Sequence, residues 1–143
     1  GGRAEASARV TVSAAAPVAP PPQPAASMDE QFRTNVADAY FDYNKADIRA
    51  DARDALAKTA QFLRGNPQIK VNIEGHCDER GSTEYNLGLG ETRAQAVRQF
   101  LISLGVAAER LNTVSMGKEK PFCTESTEEC WQQNRRGHFV QAR

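Results

Sequence analysis

Ile69-Lys70-Val71-Asn72-Ile73-Glu74-Gly75 alternates apolar and polar side chains one by one, the period of a strand with one buried face. The next six residues, His76-Cys77-Asp78-Glu79-Arg80-Gly81, are almost all polar or ionisable and read as a loop. Beyond them Ala94, Val97, Leu101 and Leu104 recur at spacings of 3, 4 and 3, which is the helical period. Ser82 is placed to cap this helix, Glu84 lies in its first turn, and Gly105 supplies its stop. Gly88 and Gly90 each cost about 1 kcal/mol relative to Ala in a helix, so close backbone packing is the one physical reason to keep them.

The same two periods continue outward. Ala39-Tyr40-Phe41 is a short aromatic strand closed by the turn formers Asp42 and Asn44. Ala52, Leu56, Ala60 and Leu63 mark a helix that Gly65-Asn66-Pro67 ends. Leu111 to Met116 reads as a strand, Gly117 to Gln133 as an irregular polar stretch with room for one helical turn, and Gly137 to Gln141 as a last strand. Helices alternating with strands predict an α/β (α+β) sandwich of about 110 residues, with helices packed on a small mixed sheet.

Composition changes near residue 28. Gly1 to Ser27 holds nine Ala, five Pro and no aromatic residue. Such a segment cannot bury enough apolar surface to offset its ordering entropy, and its prolines favour an extended form. Residues 1–31 are therefore expected to be an Ala/Pro-rich spacer and 32–143 the folded domain. Over the whole chain 18 Lys+Arg balance 18 Asp+Glu, which argues against a protein built to hold nucleic acid. No apolar run approaches the ~18 residues needed to span a bilayer.

The chemistry is concentrated in the loop after the central strand. Asp78 offers an anion there, and Arg93, on the following helix, a cation seven residues beyond Asn86 on the same face, about 10 Å along the axis. One carboxylate and one guanidinium could grip a zwitterionic amino-acid head, ammonium to carboxylate and carboxylate to guanidinium. Arg93 could equally cover apolar surface with its stem.

The run Ile73-Glu74-Gly75-His76-Cys77-Asp78-Glu79-Arg80-Gly81-Ser82-Thr83-Glu84-Tyr85-Asn86-Leu87-Gly88-Leu89-Gly90-Glu91-Thr92-Arg93-Ala94 closely resembles the signature of OmpA-like peptidoglycan-binding domains. Within that family the likeness is to the peptidoglycan-associated lipoproteins. It extends to Tyr40-Phe41-Asp42, Lys45-Ala46-Asp47-Ile48-Arg49, Ser115-Met116-Gly117-Lys118-Glu119-Lys120-Pro121 and Asn134-Arg135-Arg136-Gly137, and so covers nearly all of residues 36–143 in order. The resemblance implies a βαβαβ-type domain that binds the peptide stem of peptidoglycan through meso-diaminopimelate without cutting it. Carried over residue by residue, Asp78 would accept the ammonium and Arg93 would clamp the carboxylate. Phe41 and Asp42 would line the same pocket, Arg80 would assist, and Asn86 would orient the loop. It further implies a TolB-like periplasmic partner and a place on the periplasmic face of the outer membrane; no cofactor is expected, and a monomer is the default expectation. The lipid anchor it implies would lie outside these residues, since no cysteine precedes Cys77.

The chain departs from the pattern at several points. Cys77 stands where relatives carry Ala or Thr and is expected to be a small buried apolar side chain. Thr92 and Met116 stand where relatives often have Arg and Tyr. Cys123 and Cys130 flank the acidic Thr124–Glu129 and could pair in an oxidising compartment, contributing about 2–3 kcal/mol. Zinc is not expected, because the His and Cys residues lack metal-ligand spacing. A wall-modifying hydrolase using Asp78 and Glu79 is a poor alternative, since neighbours on an extended segment point apart. The wall-anchoring domain of a porin or a flagellar stator is a nearer one, sharing the pocket.

Overall fold

The computed structural model describes residues 24–142, with side chains from residue 28 onward. The chain divides into two compact units between Thr34 and Asn35. The first carries helix α1 (Pro24–Asn35) as far as Thr34. It crosses residue 31, where the sequence reading ended the spacer. Ala, Met, Glu, Gln and Arg, which occur along it, are good helix formers. Residues 1–23 of the expected spacer lie outside the described part.

The second unit is built from β1 (Ala39–Tyr40), α2 (Ala50–Gly65), β2 (Val71–His76), α3 (Thr83–Ser103), a 3₁₀ turn (Ala108–Arg110), β3 (Leu111–Gly117), α4 (Glu128–Asn134) and β4 (Arg136–Gln141). The sheet order is β1-β4-β2-β3. β2 runs parallel to β3 and antiparallel to β4, which is antiparallel to β1. The mixed sheet and its covering helices are those the periodicities predict. The one element they understate is α4: two turns rather than one, because Thr127 caps it by accepting from the Cys130 N–H.

The core follows the alternation of β2. Val71 and Ile73 are fully buried, while Asn72 and Glu74 between them are half-buried on the opposite face. α3 lies across β2 and β3, and α2 packs beside it and against β1. Leu56 and Leu63 from α2, and Val97 and Leu101 from α3, close the interior. Each such side chain contributes about 2 kcal/mol on removal from water. Of the two helix glycines, packing explains Gly90 and not Gly88. A Cβ on Gly75 of β2 would overlap the Gly90 carbonyl carbon at 2.6 Å, and one on Gly90 would meet the Gly75 oxygen at the same distance. This bare contact lets α3 settle onto the strand just where β2 ends. Gly88 has nothing within 4 Å of its missing side chain.

Topology gathers one set of loops. β1, β2 and β3 point the same way and β4 the opposite way. The segments leaving β1, β2 and β3, and the α4–β4 junction, therefore all lie at one edge. The β2–β3 register slips there, between Gly75 and His76, the local irregularity that commonly ends a ladder beside a site.

Candidate functional site

At that edge an open cavity of about 40 Å³ lies between the β1–α2 loop, the β2–α3 loop and the first turns of α3. That is space for on the order of three water molecules, the scale of an amino-acid head group rather than a sugar ring.

Asp78 and Arg80 form one wall. Gly81, with φ +95, lets the chain double back into α3, and Ser82 caps the helix by accepting the Tyr85 N–H at 3.1 Å. In this tight turn Arg80 reaches its neighbour twice. Its Nε donates to Asp78 Oδ1 at 3.2 Å and its NH2 to Oδ2 at 2.8 Å, while its backbone N–H adds a bond of 3.0 Å to Oδ1. A second cation arrives from the far end of the sequence. Arg135 donates through NH1 to Asp78 Oδ2 at 3.1 Å and through Nε to the Phe41 carbonyl at 2.9 Å. Burial alone would raise the Asp78 carboxyl; the hydrogen bonds from Arg80 and Arg135 outweigh it and hold the group below the ordinary carboxylate range. Asp78 is thus a carboxylate, ionised at neutral pH, that is already engaged by two guanidinium groups.

Arg93 forms the floor and is completely buried. Its Nε, NH1 and NH2 donate to the carbonyls of Lys45, His76 and Asp42 at 2.8, 3.0 and 3.0 Å. Three of the five guanidinium N–H groups are therefore committed to the backbone. This alters the expected role: Arg93 first of all ties the β1–α2 loop to the end of β2, and a ligand carboxylate can use only what remains. Asn86, also buried, donates to the Arg80 and Ser82 carbonyls at 2.8 and 3.1 Å and so holds the loop's shape. Cys77 is buried, donates its S–H to the Asn86 carbonyl at 3.3 Å, and has its thiol pushed up to about 11 by burial.

Two expected lining residues are placed differently. The Phe41 ring is fully buried in the core, 5.2 Å from the Arg93 guanidinium carbon, and does not reach the cavity. The alternation of the strand turns it inward. The Asp42 carboxylate points outward to Arg49 NH1 at 3.3 Å, and only its carbonyl serves the site. The rim is made by the next two residues, Tyr43 and Asn44, with Tyr85 of α3. Asn44 takes a left-handed φ of 59, tolerated by Asn, and accepts a hydrogen bond from the Tyr85 hydroxyl.

Trp131 and Arg135 carry no role in the sequence reading, although Asn134-Arg135-Arg136-Gly137 belongs to the family likeness. Only the fold brings Trp131 to Glu79 and Arg135 to Asp78, across 52 and 57 positions. Cys123 and Cys130 are joined by a disulfide, with Cα atoms 5.3 Å apart. His76 turns away from the cavity, its ring 4.9 Å from that of Phe122 on the other face of the sheet. Among the described residues no group of three His, Cys, Asp or Glu side chains could hold a metal ion, and no helix is long and apolar enough to cross a membrane.

Residues 40–135 match the model of the OmpA family. The chain is 49% identical over 118 residues to the peptidoglycan-associated lipoprotein of Brucella melitensis, covering 82% of this chain and 69% of that protein. The crystal structure of the peptidoglycan-associated lipoprotein from Burkholderia pseudomallei is similar with a TM-score of 0.71 and 42% identity, over 73% of this chain and 89% of that one. The C-terminal domain of MotB from Helicobacter pylori shares the fold, with a TM-score of 0.68 at 20% identity over 73% and 82% of the two chains. With Asp78, Asn86 and Arg93 set around one cavity in the stretch that carries the likeness, the chain belongs to the OmpA family and, within it, groups with the peptidoglycan-associated lipoproteins.

Proposed function

We propose that this domain binds the stem peptide of peptidoglycan non-covalently, through the zwitterionic end of meso-diaminopimelate, and so tethers the outer membrane to the cell wall. The observation that carries the reading is the cavity itself: the carboxylate of Asp78 and the guanidinium groups of Arg80 and Arg93 line a space the size of an amino-acid head. An ammonium finds Asp78 Oδ1 and Oδ2, and a carboxylate finds the flanking guanidinium groups. A ligand carboxylate takes the N–H groups that Arg80 and Arg93 leave uncommitted, so selectivity rests on a ligand offering both charges at once.

A hydrolase reading gains no support from the site. Burial would raise Asp78, yet its arginine partners keep it ionised; hydrogen bonds from Ser126 and Trp131 lower Glu79 as well. Neither carboxyl is a proton donor at neutral pH, as general acid catalysis requires. On this reading the domain works as a monomer in the periplasm, without a cofactor, beside a TolB-like partner as part of a Tol-Pal system.

Calorimetric titration with a soluble muropeptide carrying meso-diaminopimelate, beside its lysine-containing counterpart, tests the proposal. Binding of the first alone is expected. Equal affinity for both, or for neither with the protein folded, overturns it. Mass spectrometry of the same mixture after prolonged incubation is expected to return the muropeptide intact.

A further inference from the structure

Arg80 is the one cation lining the cavity that contacts two aromatic rings. Its guanidinium carbon lies 4.0 Å from the centroid of Tyr43 and 3.9 Å from that of Trp131. These are stacking distances, at which a delocalised cation is drawn to the faces of the rings. Its remaining contacts are the paired bonds to Asp78. Two aromatic rings and a carboxylate bonded at two nitrogens restrict the orientation of the guanidinium as well as its position.

The second ring is itself anchored to Glu79, whose carboxylate is held from two directions. Trp131 Nε1 donates to Glu79 Oε2 at 3.1 Å, and the Ser126 hydroxyl donates to the same oxygen at 2.6 Å. Glu79 precedes Arg80 in the chain, so the β2–α3 loop is gripped at two successive residues. The grip comes from a segment tied down covalently: Ser126 lies between Cys123 and Cys130, and Trp131 follows Cys130. Arg135, one turn further, reaches Asp78 from the same helix end. Nothing else among the described residues joins the 123–135 segment so closely to the cavity wall.

We infer that Trp131, with Tyr43, is a positioning residue of the binding site: it holds the Arg80 guanidinium in the one plane from which it can serve both Asp78 and a ligand carboxylate. The effect on affinity rests on the peptidoglycan reading above; the positioning of Arg80 does not. An unclamped arginine explores many rotamers, and each must be given up when the ligand binds. A stacked one has given them up in advance. Trp131 touches no ligand in this account and acts through Arg80 alone.

Two measurements separate the clamp from general damage. In titrations with the meso-diaminopimelate muropeptide, Trp131→Ala is expected to weaken binding about tenfold and Trp131→Phe, which keeps a ring, no more than about threefold. In an Arg80→Ala background Trp131→Ala is expected to change nothing further, and an undiminished loss there overturns the inference. The second readout needs no ligand. The Arg80 Nε–H signal in ¹⁵N spectra is expected to be ring-shifted and slow to exchange in the wild type and in Trp131→Phe, and to lose both properties in Trp131→Ala. An unchanged signal in Trp131→Ala overturns the clamp. If the wild type binds neither muropeptide, the functional reading fails while the Arg80 signal still decides the clamp. Tyr43→Ala, at an exposed position, is expected to give the same loss of signal without risk to folding. Trp131 is the sole tryptophan, so its emission follows the Arg80 contact directly and is expected to shift on ligand addition.

Discussion

Asp78 and Arg135 form an ion pair with N and O 3.1 Å apart, in which neither side chain is more than 4% exposed. Removing one partner from such a pair leaves an uncompensated charge in a poorly solvated place. Arg135 keeps Glu128 and Gln132 as partners, which softens the loss.

Asp78→Asn is therefore expected to cost about 2 kcal/mol of stability as well as ligand affinity. The pH dependence distinguishes its cause. Burial would raise the Asp78 carboxyl, but bonds from Arg80 and Arg135 leave it depressed in the folded state. A depressed carboxyl stabilises the fold above its unfolded value of about 3.9, and that stabilisation is lost as pH falls through the folded value. Urea midpoints at pH 7 and pH 3 should show the wild type losing part of this increment and Asp78→Asn having none to lose. Parallel losses in both proteins would show that the pair contributes nothing measurable.

Arg93 behaves as a structural residue before it behaves as a ligand contact. Truncation leaves the Lys45, His76 and Asp42 carbonyls without their donor. At about 1–3 kcal/mol for each stranded buried group, discounted for relaxation of the loop, Arg93→Ala is expected to lose about 3 kcal/mol or more. Chemical denaturation checks this, and a loss below about 1 kcal/mol is incompatible with it. Any binding defect in Arg93→Ala must accordingly be read against the folded fraction.

What the sequence discloses is what short-range periodicity and motif carry. Val71 and Ile73 declare their buried face by alternation, and Ser82 declares the start of α3 by its position. Asp78 and Arg80 are legible because they are two residues apart in one turn. Arg135 is not, because nothing local distinguishes a buried arginine from a solvated one beside Arg136. Phe41 is misplaced for a related reason. A motif says that a residue belongs near a site, whereas the pleat decides that its ring enters the core while its carbonyl serves the site.

Gly75 of β2 and Gly88 of α3 should separate sharply. Gly75→Ala drives a Cβ into the backbone of Gly90, where no side chain can move aside, and is expected to abolish folding or cost more than about 3 kcal/mol. Gly88→Ala meets nothing within 4 Å and lies inside the helix, so it is expected to stabilise by about 0.5–1 kcal/mol. Thermal midpoints of the two variants give the answer. A destabilised Gly88→Ala would mean that this glycine has a role beyond packing.

His76 and His138, the two histidines of the chain, have ring centroids 6.2 Å apart yet are expected to titrate on opposite sides of pH 6.5. A hydrogen bond to Asp38 at 2.8 Å raises His138 in spite of its partial burial. Burial lowers His76, the bond to Glu74 offsets only part of that, and its buried Nδ1 has no partner among the described residues. The raised group stabilises the fold fully below about pH 6.5 and loses that contribution as pH rises through its folded value. The lowered group runs the other way: stability falls as pH drops below about 6.5 toward its folded value, because the unfolded chain takes up the proton first. Cε1–H signals followed from pH 4 to 9 should give one midpoint on each side of 6.5. Urea midpoints over the same range should show His138→Asn removing the alkaline loss and His76→Asn the acid one. Two midpoints on the same side of 6.5 would contradict the burial of His76 or the pairing of His138, and the surviving slope would say which.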